Sequence, residues 1–405
     1  MRLISRTVNP DGAVVVKVSV STSEDLWHLY NIIVPGDEVR ARTKRKVVKE
    51  TSTGTRAAEV RTLTLQLLVE QTQFSPDELR IQGINTTESE HVKLGAHHTH
   101  SIHTLVPQDV TVVKKEWDEI IAERLKEACE NESNADTVAV LMNNGTATVL
   151  FITPSLMYTK AKIEVAIAKK YKNDGTARDK SIQRFFKQVL DALCTHVEFD
   201  KVKLLLLCSP AYVREEFKAY VEAATAHAEA GKLRSLQKNM KKVVLVKVRD
   251  NTHDALREAF ADSAVSSKME TTRCQDDIRL WQRFQDTMND QPDCCVYTPH
   301  VVFQAAMMGA IGTLMVSDHV FRSESPTVRR FYLSLVNFVR QGGGKVSIFS
   351  SNHVTGEQLT QLGFVAAILH FPCPEHDDLE AVDNFICSEE AAAFIRENAP
   401  VRVCV

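Results

Sequence analysis

Apolar residues recur at every second position in runs up to about residue 113, and around residue 116 the period changes to helical spacing, so one uniform architecture cannot serve the whole chain. In "GAVVVKVSV" the side chains of Val14, Val16, Val18 and Val20 fall on one face. In "VRTLTLQLLVE" Leu63, Leu65, Leu67 and Val69 alternate with Thr62, Thr64 and Gln66. Period two between turn residues predicts a small β-barrel or sandwich. "SEDLWHLYNII" interrupts it with a short helix, capped by Ser23, whose Leu26, Leu29, Tyr30 and Ile33 share a face. At "EWDEIIAERLKEACE" the spacing of Trp117, Ile120, Ile121, Leu125 and Ala128 is that of an amphipathic helix, and "NESNAD" reads as a linker.

Beyond the linker, short apolar strands alternate with longer helices: "TVAVLM", "ATVLFI", a helix around "SIQRFFKQVLDAL", "KLLLLC", a helix over "VREEFKAYVEAATAHAEA", then "KVVLVKV". Strands this continuously apolar predict a sheet covered on both faces. A second polar stretch, "DSAVSSKMETTRCQ", precedes a third region. There the expected order is helix, helix, strand ("TLMVS"), helix ("VRRFYLSLVNFVRQ"), strand ("KVSIFS"), helix ("GEQLTQL") and strand ("VAAILHF"). The expected fold class is therefore multidomain, α+β and α/β, ending in an α/β/α sandwich.

With 405 residues, two or three cores are expected. Hydrophobic residues at 44% and charged residues at 25% are ordinary globular values, which excludes a disordered or fibrous chain. No apolar run approaches the ~20 residues of a membrane helix, and "MRLISRTVNPDG" lacks the apolar core of a signal peptide. A cytoplasmic location without membrane association is expected. Nine cysteines show no CxxC spacing and are expected to be reduced.

Against a net charge of −3, "VRARTKRKVVKE" concentrates six cations between Arg40 and Lys49: Arg40, Arg42, Lys44, Arg45, Lys46 and Lys49. On a strand, Arg40, Arg42, Lys44 and Lys46 project from one face about 6.6 Å apart, with Val39, Ala41, Thr43 and Val47 behind them. Self-repulsion makes such a row unfavourable unless anions neutralise it, and phosphates are the natural acceptors. Arg56, on the opposing arm, adds to the patch. An edge strand protected against aggregation needs one or two lysines rather than six cations. Nucleic-acid contact is the reading preferred, with DNA and RNA undecided.

Other motifs do not mature into sites. His98 and His100 could share a zinc ion from one strand face, but no Cys, Asp or Glu accompanies them, and solvated strand histidines, with His97 and His103, are the simpler reading. "QGGGKVS" lacks the first glycine and closing Ser/Thr of a phosphate loop and runs from helix into strand, so Gly342 to Gly344 are read as a helix stop. No GxSxG or HExxH occurs.

In the C-terminal third, "GAIGTLMVSDHVFR" followed by "GGGKVSIFSSNHVTGEQLTQLGFVAAILHFPCPE" closely resembles the Pelota family, the ribosome-rescue paralogues of the eukaryotic and archaeal class-1 release factors. "DLWHLYNIIVPGDEVRARTKRKV", "EHVKLGAHHT" and "SPAYVREEF" resemble the same family, and the likeness runs in order over roughly residues 1–378. The resemblance implies an Sm-like β-barrel with its following helix over residues 1–132 and an RNase-H-like domain over 135–268. A C-terminal domain of the kink-turn-binding ribosomal-protein type would take 272–381, and a tail of unknown order 382–405.

It also implies a function. Such a protein enters the A site of a stalled ribosome and contacts ribosomal RNA and mRNA there. It is delivered by an elongation-factor-like GTPase, splits the subunits with an ABC-type ATPase, and initiates no-go and nonstop mRNA decay. The chain is expected to act as a monomer without a cofactor. Neither the NIKS motif of stop-codon reading nor the GGQ motif of peptide release occurs. By resemblance, the GTPase contacts Lys169, Lys170 and Lys172 in "KKYKNDGTARDKS" and the turn Pro210, Ala211 and Tyr212, where relatives carry Pro-Gly-Phe. Ala211 is the departure that matters, since alanine adopts positive φ less readily than glycine.

Some relatives have been credited with divalent-metal-dependent RNA cleavage in the N-terminal domain. Asp25, Asp37 and Glu38 are the nearest acidic candidates in this chain, although helix capping and turn formation account for them more simply. A general RNA-binding protein acting off the ribosome is a third reading.

Overall fold

The computed structural model describes residues 1–50, 56–88, 92–104, 106–130, 137–153, 155–168, 176–226, 231–250, 255–261, 265, 275–323, 325–372 and 385–398. At several of these, including 44–50 and 56–61, the backbone alone is described.

The first region contains β1 (Arg2–Val8), β2 (Val14–Val20), α1 (Ser23–Ile32), β3 (Glu38–Glu50), β4 (Arg56–Ser75), β5 (Glu78–Asn85), β6 (His97–His103), β7 (Gln108–Lys114) and α2 (Glu119–Glu130). The seven strands form one antiparallel sheet in the order β1-β2-β7-β3-β4-β5-β6. Val14, Val16, Val18 and Val20 are buried, and the core they start is closed by Leu26 and Leu29 of α1 and by Trp117, Ile121, Leu125 and Ala128. The cap of α1 is Thr22, not Ser23. Its hydroxyl accepts from the Asp25 amide at 3.1 Å while the Asp25 carboxylate accepts from the Thr22 amide. A capping box needs its acid three residues after the cap, and Asp25 sets that spacing.

The second region contains β8 (Thr137–Asn143), β9 (Thr146–Ile152), β10 (Met157–Glu164), α3 (Thr176–His196), β11 (Leu204–Ser209), α4 (Val213–Thr225), α5 (Gly231–Lys238), β12 (Val243–Lys247) and α6 (Ala255–Ala261). The sheet order is β10-β9-β8-β11-β12, with β11 parallel to both β8 and β12. Val138, Val140 and Met142 face one core beneath α3 and α4, while Ala139 and Leu141 face another that includes α6, so the sheet is covered on both sides. β10, "MYTKAKIE", was not foreseen. It is an edge strand with mostly half-exposed residues, which leaves little apolar period to read. The helix expected over 213–230 ends as α4 at Thr225, and residues 227–230 lie outside the described set.

The third region contains α7 (Gln275–Asp290), β13 (Cys295–Tyr297), α8 (Pro299–Met307), β14 (Ile311–Ser317), α9 (Pro326–Gln341), β15 (Lys345–Phe349), α10 (Val354–Gln361), β16 (Val365–Leu369) and α11 (Glu389–Glu397). The sheet runs β13-β16-β14-β15. α8, α9 and α11 cover one face, and Trp281, Phe284 and Leu359 of α7 and α10 cover the other. Strand β13, three residues long, is too short to carry a periodic signal. Residues 385–398, left open by the sequence, pack on α8 and α9: the Phe394 ring centre lies 5.0 Å from that of Phe303 and 5.5 Å from that of Phe338. α9 ends at the glycines as expected, with the Gly343 and Gly344 amides donating to the carbonyls of Arg340 and Val339.

Ion pairs and stacking join the first and third regions. Arg329 pairs with Asp118 and Arg340 with Glu123. The Arg322 guanidinium sits 3.3 Å above the Tyr30 ring and donates to the Thr72 hydroxyl at 2.8 Å.

Candidate functional site

The basic row lies on β3, which pairs with β4 along its whole length, from Glu38 opposite Leu68 to Glu50 opposite Arg56. β7 pairs only with residues 38–41 of β3, and β5 only with β4 from Leu67 onward. From Arg42 outward the hairpin is therefore a two-stranded arm projecting from the sheet. At its base the alternation is as expected: Val39 and Ala41 are buried, and Arg40 and Arg42 are exposed.

Lys44, Arg45, Lys46 and Lys49 follow on the same strand, with their side chains outside the described set, and Arg56 opens the returning strand. The register also sets Arg45 directly opposite Arg61, a residue that sequence reasoning missed. Only the pairing reveals it, because Arg61 stands sixteen positions away along the chain. Like charges directly opposite destabilise a ladder, and an anion between them relieves the repulsion.

The histidines beside the arm have structural partners. The His98 Nε2 lies 3.3 Å from the Thr43 hydroxyl. His100 is buried, contrary to the expectation of a solvated ring, with Nε2 3.1 Å from the Leu65 carbonyl. Burial and the neighbouring His98 push its pKa down to about 4. Among the described residues no three His, Cys, Asp or Glu side chains gather as a metal site. No disulfide joins the six described cysteines.

The three carboxylates raised as cleavage candidates are each engaged. Asp25 accepts from the Ser21 and Thr22 amides and pairs with the Met1 amine. Asp37 accepts from the Val34 amide at 2.8 Å and pairs with the buried Lys114. Glu38 accepts from the Gln66 amide group. A divalent ion would have to displace these partners, so the residues present do not fit one.

The second expected surface is the turn between β11 and α4. Ser209 Oγ accepts from the Ala211 amide at 3.2 Å and donates to the Ala211 carbonyl at 2.8 Å. Arg214 donates to the carbonyls of Ser209 and Ala211, both at 2.8 Å. Ala211 does not have positive φ; among the described non-glycine residues only Thr298 and Phe364 do. The anticipated strain of Ala for Gly is therefore absent. Tyr212 stands at the cap position of α4 with 78% of its surface exposed, so it is a presented ring and not a core residue. Lys169, Lys170 and Lys172 lie outside the described residues.

No helix among the described residues is long and apolar enough to cross a membrane. The chain matches the Pelota N-terminal domain over residues 1–129, eRF1 domain 2 over 136–270 and eRF1 domain 3 over 274–373. The protein pelota homolog of Homo sapiens is 38% identical over 382 residues, spanning 94% of this chain and 98% of that protein. Protein pelota of Drosophila melanogaster is 37% identical over 380 residues, spanning 93% and 95%. Among solved structures, S. cerevisiae Dom34 aligns with a TM-score of 0.51 at 25% identity over 93% of this chain and 99% of that one. Dom34 is a translation termination-like factor involved in RNA quality control pathways and interacting with Hbs1. The Thermoplasma acidophilum Pelota protein aligns with a TM-score of 0.63 at 18% identity over 92% and 100%, a likeness of fold.

Proposed function

The chain belongs to the Pelota family, and on that premise we propose that it is a ribosome-rescue factor that occupies the A site of stalled ribosomes and promotes subunit dissociation without cleaving peptidyl-tRNA. The observation that supports this reading is the arm: β3 carries six cations in a chain with net charge −3, five of them from Arg42 outward, where, among the described residues, β3 pairs with β4 alone and a phosphate-lined site could receive it. In this reading the first region is an Sm-like barrel that brings the arm to the decoding centre, among ribosomal RNA and mRNA. The second is an RNase-H-like domain, and the third is of the kink-turn-binding type.

Dom34 interacts with Hbs1, and in this reading the central domain of this chain docks on an elongation-factor-like GTPase through Lys169, Lys170, Lys172 and the Pro210–Ala211–Tyr212 turn. The turn is preorganised by Ser209 and Arg214, so little conformational freedom is lost when Tyr212 seats. An ABC-type ATPase completes subunit separation, and no-go and nonstop decay follow. No GGQ is present to position water at the peptidyl ester. Metal-dependent RNA cleavage is not favoured, because Asp25, Asp37 and Glu38 already hold a helix cap, a lysine and a strand neighbour.

The test is a stalled ribosome carrying a labelled nascent peptide, supplied with this protein, the GTPase and the ATPase. Subunits should separate while the peptide stays on its tRNA. Factor-dependent release of free peptide, before any hydrolase is added, would overturn the reading.

A further inference from the structure

The chain segments that enter and leave the β3–β4 arm meet at its root. The Gly36 amide donates to the Val69 carbonyl at 2.9 Å, and the Val69 amide donates to the Asp37 carbonyl at 2.8 Å. How residues 30–37 lie against β4 beyond Leu68 therefore governs the angle at which the arm leaves the sheet.

One side chain of the third region bridges these segments. Arg322 closes a 3-10 turn (Asp318–Arg322) whose Val320 and Phe321 are buried in the third core. The Ser351 amide donates to the Asp318 carboxylate at 2.8 Å and steadies the same turn. From this base the guanidinium donates to the Ile33 carbonyl at 3.3 Å, where α1 ends, and to the Thr72 hydroxyl of β4 at 2.8 Å. It also lies 3.3 Å above the centre of the Tyr30 ring. That ring packs on Trp27 of α1 and Phe74 of β4, with centres 5.4 and 5.5 Å away. Arginine suits this place, because a planar guanidinium stacks on a ring and still presents donors in two directions.

A second arginine of the third region acts on the same root. Arg329 pairs with Asp118, and its charge acts on the buried Asp37–Lys114 pair directly ahead of β3. The remaining pairs made by α9 are of another kind. Arg330 and Arg340 reach Glu116 and Glu123, which belong to neither segment at the root of the arm.

We propose that Arg322 is a positioning residue for the arm: it clips residues 30–33 to β4 and so fixes the angle at which the cation row meets the ribosomal RNA backbone. The inference rests on the ribosome-rescue reading. Arg322 needs no contact with RNA; it acts through the arm.

The experiment is a double-mutant cycle, read by co-sedimentation of the full-length protein with purified empty-A-site ribosomes across a salt series. Arg322→Ala should weaken binding about tenfold. It should also make the log–log salt slope shallower by about 1.4, because a misaimed row loses about two phosphate contacts at ~0.7 each. In a chain whose Arg42, Lys44, Arg45 and Lys46 are already glutamate, the same change should cost less than about twofold. Thr72→Val removes one acceptor and keeps the ring stack. It is the milder probe if circular dichroism shows Arg322→Ala misfolded, and it should flatten the slope by about 0.7. Arg340→Ala, which cuts a contact between the same two regions away from the root, should keep the wild-type slope. A wild-type slope in folded Arg322→Ala, or in Thr72→Val where the alanine variant misfolds, overturns the proposal. So does an equal loss in the wild-type and glutamate backgrounds, because Arg322 would then act apart from the arm. A slope change in Arg340→Ala as large as in Arg322→Ala also overturns it, since the effect would belong to the whole joint between the regions. Ribosome binding that ignores the arm cations overturns the rescue reading itself, whereas arm-dependent binding with Arg322→Ala at the wild-type slope removes this inference alone.

Discussion

The β3–β4 arm spreads five cations along one strand of a two-stranded ladder, with Arg40 at its base, whereas the turn ahead of α4 offers a single aromatic ring on a backbone tied by four local hydrogen bonds. The arm depends on pairing between distant residues, and among the described residues no third strand pairs with β3 from Arg42 outward. The four side-chain bonds that shape the turn all lie within residues 209–214. A row of charges suits a phosphate backbone, where contacts are many, weak and screened by salt. A rigid exposed ring suits a protein pocket, where one buried anchor holds most of the energy. Two partners of different chemistry can thus be addressed by one chain, and each surface can be damaged without the other.

The arm should give the largest effect. Replacing Arg42, Lys44, Arg45 and Lys46 with glutamate should weaken ribosome binding on the order of a hundredfold or more and flatten the salt slope by about 2.8. Fold stability should move little, by ~0.5 kcal/mol or less per surface position. Co-sedimentation across a salt series, with circular dichroism as the folding control, measures both. GTPase affinity should stay at the wild-type value. If it fell in parallel, the two surfaces would not be separable and the contrast between them would break.

The reciprocal experiment sharpens the same contrast. Tyr212→Ala should reduce GTPase affinity about tenfold, or ~1.4 kcal/mol, chiefly through faster dissociation. Changing Lys169, Lys170 and Lys172 to alanine should act mainly on the association rate and its salt dependence. Because Tyr212 is 78% exposed, its removal should leave the central domain folded. Surface plasmon resonance separates the rates, and a folded Tyr212→Ala protein with wild-type affinity would place the docking surface elsewhere.

The arm was legible in the sequence because its signal is dense and period two exposes it directly: Arg40 and Arg42 lie outside, Val39 and Ala41 inside. What the sequence could not supply was register. Arg61 joins the patch only once Arg45 is known to face it. His100 looked like its solvated neighbours, since burial there is set by the Leu65 carbonyl on another strand. The cap of α1 fell to Thr22 because the Asp25 carboxylate closes the box one residue earlier than Ser23 would allow. At the turn, the family resemblance pointed to positions 210–212, but the backbone at Ala211 is decided by Ser209 and Arg214, whose contacts no spacing rule reveals.

A buried acid tests whether the two surfaces are independent of the interior. Glu24, 5% exposed, is pushed up to about 7 by burial and then by Asp25 and Glu127, against a hydrogen bond from the Ser155 backbone in the central region. Its folded pKa lies above the ordinary 4.5, so folding takes up a proton. The associated stability is complete below about pH 4.5 and is lost as pH rises through about 7. Between pH 6 and 7 the loss should be about 1 kcal/mol, and Glu24→Gln should remove that part of the slope. Thermal unfolding at stepped pH measures it. Ribosome and GTPase affinities of the folded variant at one pH should not change. A variant with the wild-type pH slope would show that Glu24 is not the group responsible.

The smallest effect is expected at Ala211, where the family resemblance leads one to expect glycine. Were the turn built on positive φ, glycine would relieve strain there, stabilise the central domain and tighten GTPase binding. Ala211 instead lies at ordinary φ, with its amide and carbonyl both bonded to Ser209 Oγ and its carbonyl also held by Arg214. Glycine then gains nothing in the folded state and adds freedom to the unfolded one. Ala211→Gly should therefore lower central-domain stability by about 0.4–1 kcal/mol and leave GTPase affinity within about twofold of wild type. The larger disturbance should come from Ser209→Ala, which removes both turn bonds while leaving Tyr212 in place. It should weaken GTPase binding more than Ala211→Gly does, since the ring would lose the backbone that aims it. A glycine variant that binds tighter than wild type would mean that the bound turn adopts positive φ at 211, and that docking remodels the backbone instead of meeting it already formed.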